Sequence, residues 1–132
     1  MSQENVDAFH RGLDAYNQRD VEAMVAISHP DIEWHPLSAQ VEGDESFRGH
    51  DGLRRWWANM EATWEEIEAS IDEVRDLDDA TLAFGRLRGH WRSGVPVDAE
   101  VAWVYRFRDG LAIWGRVYTR REDALEAVGL EE

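Results

Sequence analysis

Four side chains in this 132-residue sequence have the types and spacing of acid/base chemistry. His35 closes the run Asp31-Ile32-Glu33-Trp34-His35-Pro36, whose apolar and polar residues alternate as in a short strand. An imidazole titrates near neutral pH, so it can act as the base that removes a proton next to a carbonyl. Glu33 stands two residues earlier and shares the face of His35, where it could orient the ring or join it on a metal. A metal would need a third ligand from His50 or His90, and nothing in their spacing requires one, so no metal is assigned. Arg88 and His90, on the strand expected from Phe84 to Arg92, could polarise a carbonyl or hold an acid group. The plain alternatives are a histidine bonded to a loop carbonyl and an arginine on a solvent-facing or dimer-facing sheet surface.

The aromatic residues suggest where such groups would work. Trp57, Met60 and Trp64 recur at helical spacing, with Trp56 widening the stripe. Val101, Trp103, Tyr105 and Phe107 share one side of an alternating strand, Val117 lies on the strand after it, and Tyr16 ends the apolar stripe of the first helix. If these residues face one another across a gap, the gap is a large aromatic pocket suited to a flat hydrophobic molecule. If they close on one another, they fill the interior and leave no cavity. Glu42, Asp44 and Glu45 make residues 37–47 an acidic loop, either a lid that discourages anions or a solvated connection.

Positioning these residues requires an ordered set of elements. Val6, Phe9, Leu13 and Tyr16 predict a first helix with Ser2 as its N-cap. Asp20 caps a second helix that His29-Pro30 stops. After the short strand and the acidic loop, Leu53, Trp57, Met60, Trp64 and Ile67 predict the strongest helix, a long one. Strands are expected near 69–76, 80–92, 98–108 and 111–119, separated by turn signals such as Asp109-Gly110. Short turns between successive strands imply an antiparallel meander. Thr119 and Glu122 suggest a capping box for a last helix, which Gly129 ends with Leu130 folded back on Leu125. The order α-α-β-α-β-β-β-β-α belongs to the α+β class, in one domain over residues 1–132.

Composition removes many functions. No cysteine is present and all 14 basic residues are arginine, which excludes thiol nucleophiles, cysteine metal sites, Schiff-base lysines and P-loop lysines. A net charge of −14 argues against nucleic acid and anionic membrane as partners. No apolar run approaches the roughly 20 residues that span a bilayer. The polar, acidic start is unlike a signal peptide, so a cytoplasmic protein is expected.

The chain resembles the SnoaL-like branch of the nuclear transport factor 2-like superfamily. The resemblance lies in residues 15–24, Asp31 to Pro36, Phe47-Arg48-Gly49-His50-Asp51-Gly52, Tyr105 to Gly110 and Ala124 to Leu130, in that order. It implies a cone: a curved antiparallel sheet wrapped around the long helix, a cystatin-like roll with a pocket at its open end. It also implies homodimers through the outer sheet face and chemistry without a cofactor. Ketosteroid isomerase places its aspartate base before the proline that follows the first strand, where this chain has His35-Pro36. Its oxyanion-hole tyrosine and neutral aspartic acid align near Gly12 and with Trp103, so steroid isomerisation is disfavoured. Limonene-epoxide hydrolases need an Arg-x-Asp pair on a pocket strand, and here that pattern occurs only at Arg121-Glu122-Asp123, in the last helix.

Three functions follow. The first is an isomerase, polyketide-cyclase-like or dehydratase-type enzyme acting on a hydrophobic carbonyl compound. His35 would be its base, Arg88 and His90 its helpers, and Tyr16, Glu33, Trp57, Met60, Trp64, Trp103, Tyr105 and Val117 its ligand-binding residues. The second is a non-catalytic ligand-binding or dimerisation module of the same fold. The third is a partner-binding domain using the acidic surface.

Overall fold

Apolar steps of three and four build the helices, and steps of two build the sheet that they cover. A computed structural model of the chain describes residues 2–37 and 46–130. Helix α1 (Ser2–Asn17) buries Ala8, Phe9 and Ala15. Helix α2 (Val21–Ala26) is capped by Asp20, whose carboxylate accepts from the Ala23 N–H at 3.1 Å. Strands β1 (Ser28–His35) and β2 (Phe47–Arg48) flank the residues outside the description, among them Glu42, Asp44 and Glu45. Helix α3 (Gly49–Thr63) is followed by β3 (Trp64–Asp76), β4 (Thr81–Trp91), β5 (Pro96–Arg108), β6 (Leu111–Tyr118) and α4 (Arg121–Ala127).

The expected order is present with β2 added, and the helix boundaries differ in places. The long helix stops at Thr63, so Trp64 and Ile67 belong to β3. A separation of three fits a helix face, but it also fits a strand with a bulge, and β3 shifts register between Trp64 and Glu66. The last helix starts after Arg120 with no side-chain cap, so Thr119 and Glu122 form no capping box. Its far end is as expected: Gly129 has φ 79°, and the Leu130 N–H donates to the Leu125 carbonyl at 2.8 Å.

Among the described residues six strands form one curled, unclosed sheet in the order β2-β1-β6-β5-β4-β3. Neighbours run antiparallel except β1 and β6, whose parallel pairing departs from the expected antiparallel sheet. The β3 and β4 backbones come close at two glycines. A Cβ at Gly85 would lie 1.9 Å from the Ser70 carbonyl oxygen, and one at Gly89 would lie 2.0 Å from that of Glu66. Only glycine admits so close a strand crossing. Asn17 fastens α1 inside the curl: its amide donates to the Ala69 carbonyl at 2.9 Å and accepts from the Ala69 N–H at 2.8 Å.

The two faces of the sheet carry separate cores. The concave face packs Ala83, Leu87, Val101 and Trp103 against Phe9, Trp56 and Trp57 of the helices. On the outer face Leu82, Phe84, Ala102 and Val104 meet Ala124 and Leu125 of α4. No described helix is long and apolar enough to cross a membrane.

Candidate functional site

The concave face and the helices do not meet everywhere, and the gap between them is a cavity of about 770 Å³. Its floor is aromatic. Tyr105 stacks on Trp34 at 5.6 Å and 15°, Trp34 meets Trp56 edge-on at 5.4 Å, and Trp56 lies nearly parallel to Tyr16 at 6.3 Å. Gly115 makes this floor possible. It pairs with both Trp34 and Tyr105, and a Cβ there would lie 2.6 Å from the Tyr105 ring and 2.9 Å from the Trp34 ring. Four exposed lining residues, Asn59, Ala62, Thr63 and Trp91, mark a mouth near the end of α3. Trp91 is 43% exposed and stands perpendicular to Trp64 at 6.0 Å.

Among the described residues the lining contains no aspartate, glutamate, histidine or arginine. Its titratable groups are Tyr16 and Tyr105. Burial raises both phenols above their ordinary value, with Arg19 opposing the rise at Tyr16 and Tyr16 adding to it at Tyr105. Both therefore stay neutral. The indole N–H groups of Trp34 and Trp56 are enclosed without a hydrogen-bond partner among the described residues.

The expected site divides between the two faces. Tyr16, Met60, Trp64, Trp103, Tyr105 and Val117 line the cavity. Trp57 does not: it packs behind the wall against Tyr16 and Trp56, and Trp56 takes the lining position. His35 and Glu33 are also absent from the lining, which corrects the expectation of a base inside the pocket. Ile32 and Trp34 turn inward on β1, so the period of two sends Glu33 and His35 outward. There His35 Nε2 lies 2.5 Å from a Glu33 carboxylate oxygen, and the Arg48 guanidinium lies 3.0 Å from the other. The His35 hydrogen bond lowers the Glu33 carboxyl from its ordinary value, helped by the charge of Arg48 and a bond from Trp114. His35 also sits 5.7 Å from the Trp114 ring, so the group knits β1, β2 and β6 together.

Arg88 and His90 are corrected in the same way. Leu87 and Trp91 face the cavity, so their neighbours Arg88 and His90 face out. Arg88 lies 3.6 Å from Asp98, and His90 lies 3.8 Å from Glu66. Elsewhere, His50 is held by the Ser28 carbonyl at 2.8 Å. No group of three histidines or carboxylates among the described residues could hold a metal ion.

Comparison with known proteins agrees with this architecture. The family model described as a SnoaL-like domain matches residues 9–114. A nuclear transport factor 2-like protein from Burkholderia pseudomallei is 19% identical, with a TM-score of 0.81 and 96% of each chain covered. TerC is 20% identical at a TM-score of 0.79, covering 89% of this chain and 92% of its own. A protein with a ketosteroid isomerase-like fold from Catenulispora acidiphila is 16% identical at a TM-score of 0.76, covering 94% of this chain and 93% of its own. At such identities the likeness is one of fold. No match to a functionally curated protein was found.

Proposed function

From the chain's membership of the SnoaL-like domain family, we propose that its cavity binds an uncharged, flat, hydrophobic small molecule. The observation that carries this reading is the absence of charge from the described lining, in a space of about 770 Å³ walled by aromatic rings. That size lies within the usual range for ligand sites. A ligand charge buried there would meet no opposite charge, and transfer of an unpaired ion from water is costly. A planar ring system gains area and edge or face contacts with Trp34, Trp56, Trp103 and Tyr105.

The reading favours binding without chemistry over a cofactor-free isomerase or cyclase. Proton abstraction needs a base within hydrogen-bond reach of the ligand, and His35 stands on the other side of the sheet. A small-molecule role fits the scaffold, since the fold neighbour TerC was co-crystallised with polyporic acid.

Two fluorophores that differ by one sulfonate test the reading. N-phenyl-1-naphthylamine should give a saturable fluorescence increase and raise the melting temperature, because it binds the folded state alone. 8-Anilinonaphthalene-1-sulfonate should bind at least about tenfold more weakly. Equal or tighter binding of the sulfonate would contradict the proposal.

A further inference from the structure

We propose that the ligand carries an apolar tail, and that the mouth half of the cavity, from Ala99 to Trp91, is the subsite that holds it. This inference rests on the pocket reading above and narrows its ligand class to a flat ring system bearing a hydrocarbon chain. The cavity is long. Its lining residues Tyr105, Trp103, Ala99 and Val97 share one face of β5, and the strand from Tyr105 to Val97 rises about 25 Å. A flat molecule of two or three fused rings covers only part of that path.

The two ends of the path differ in chemistry. At the deep end Tyr105 pairs with Gly115, beside Trp34, and Trp103 pairs with Val117. Nearer the mouth Ala69, Leu87 and Ala99 form one row across β3, β4 and β5, and Ile67 and Val97 flank Gly89 in the next. The side chains of these two rows that line the cavity are all aliphatic. Aromatic rings offer faces and edges to a planar head. Aliphatic walls offer area alone, which a flexible chain can fill without a fixed geometry.

The last row accounts for an exposed tryptophan. Trp64 pairs with Trp91 where β3 begins and β4 ends, and both line the cavity. Among the described residues the exposed large hydrophobics are Trp91 and Val95, and both stand at the β4–β5 turn. Hydrogen bonds fasten this turn to the end of α3. The Trp91 N–H donates to the Val95 carbonyl at 2.9 Å, and the Arg92 N–H donates to the Thr63 carbonyl at 3.0 Å. The Arg92 guanidinium donates to the Glu61 carbonyl and to the Glu65 carboxylate, each at 2.8 Å. Trp91 is therefore held in place at the mouth, and a chain passing over it would cover apolar surface that water otherwise touches.

2-Methoxynaphthalene and 2-hexyloxynaphthalene test this, since they share one head and differ only in chain length. In equilibrium dialysis the wild-type protein should bind the hexyl ether at least about tenfold more tightly, because several methylene groups leave water. Val97→Phe narrows the path and Trp91→Ala removes the surface at its end. Neither residue is buried, so both variants should fold and bind the methyl ether with wild-type affinity. Each should cut the advantage of the hexyl ether at least about threefold. A smaller wild-type advantage, or one that either variant leaves intact, overturns the tail subsite; binding of the methyl ether then leaves the pocket reading standing. Loss of the methyl ether in a folded variant also overturns the subsite, because head and tail would then share one place. Failure of both ethers to bind the wild type overturns the subsite and the pocket reading together.

Discussion

The concave and outer faces of the sheet are made by alternate residues of the same strands, yet they push titratable groups in opposite directions. On the concave side burial holds Tyr16 and Tyr105 in the neutral form. On the outer face the His35 hydrogen bond and the Arg48 charge hold the Glu33 carboxyl below its ordinary value, and Asp98 and Glu100 lie 3.5 and 3.4 Å from the Arg86 guanidinium. The difference shows that residue type alone does not locate a site. The histidines and arginines best suited to chemistry stand on the outer face, where they hold strands together. The described cavity lining is uncharged and mostly aromatic and aliphatic.

Substitutions on each face can break or sharpen this contrast. The largest effect is expected at the floor. Gly115→Ala would drive a methyl group into Tyr105 and Trp34, and strand backbone leaves it nowhere to go. Overpacking of this kind costs about 1–3 kcal/mol, so chemical denaturation should show a clear loss of stability together with weaker probe binding. Unchanged stability would mean the two rings do not share the space above Gly115.

A smaller effect is expected on the outer face. Glu33→Gln removes the charge that His35 and Arg48 share and should cost about 1 kcal/mol at neutral pH. The folded Glu33 carboxyl lies below its ordinary value of 4.5, so its contribution is present above that value and disappears as pH falls through the lowered one. The difference in melting temperature between wild type and variant should therefore shrink from pH 7 to pH 3. A difference that grew on acidification would reverse the assignment. Probe affinity should be unaffected at neutral pH.

The smallest effect is expected at Arg88. Its side chain is 63% exposed, and its ion pair with Asp98 is a surface contact. Arg88→Ala should change stability by less than about 0.5 kcal/mol and leave ligand binding intact. A tenfold loss of probe affinity would return Arg88 to the site.

Much of the fold is legible from periodicity. The helix over Phe9, Leu13 and Tyr16, the Asp20 cap and the β3–β6 meander all follow from local spacing, and the structure contains them. The parallel β1–β6 pair is not legible, because nothing local to either strand specifies a partner so far along the chain. Trp64 is ambiguous for a physical reason, since an inward step of three suits both a helix and a bulged strand. The placement of His35 is a different kind of miss. Ile32 and Trp34 mark the inward parity of β1, and that alternation already sends Glu33 and His35 out. The same rule, applied to Leu87 and Trp91, removes Arg88 and His90.

The central claim is that ligand recognition belongs to the neutral concave face and not to the histidine behind it. One titration with N-phenyl-1-naphthylamine tests this across wild type, Ala99→Phe and His35→Gln. Ala99 lines the cavity, and a phenyl group there fills part of the space. The account predicts saturable binding to wild type, near-wild-type affinity for His35→Gln and loss of binding in a folded Ala99→Phe. Loss of binding in His35→Gln with Ala99→Phe unaffected would contradict it.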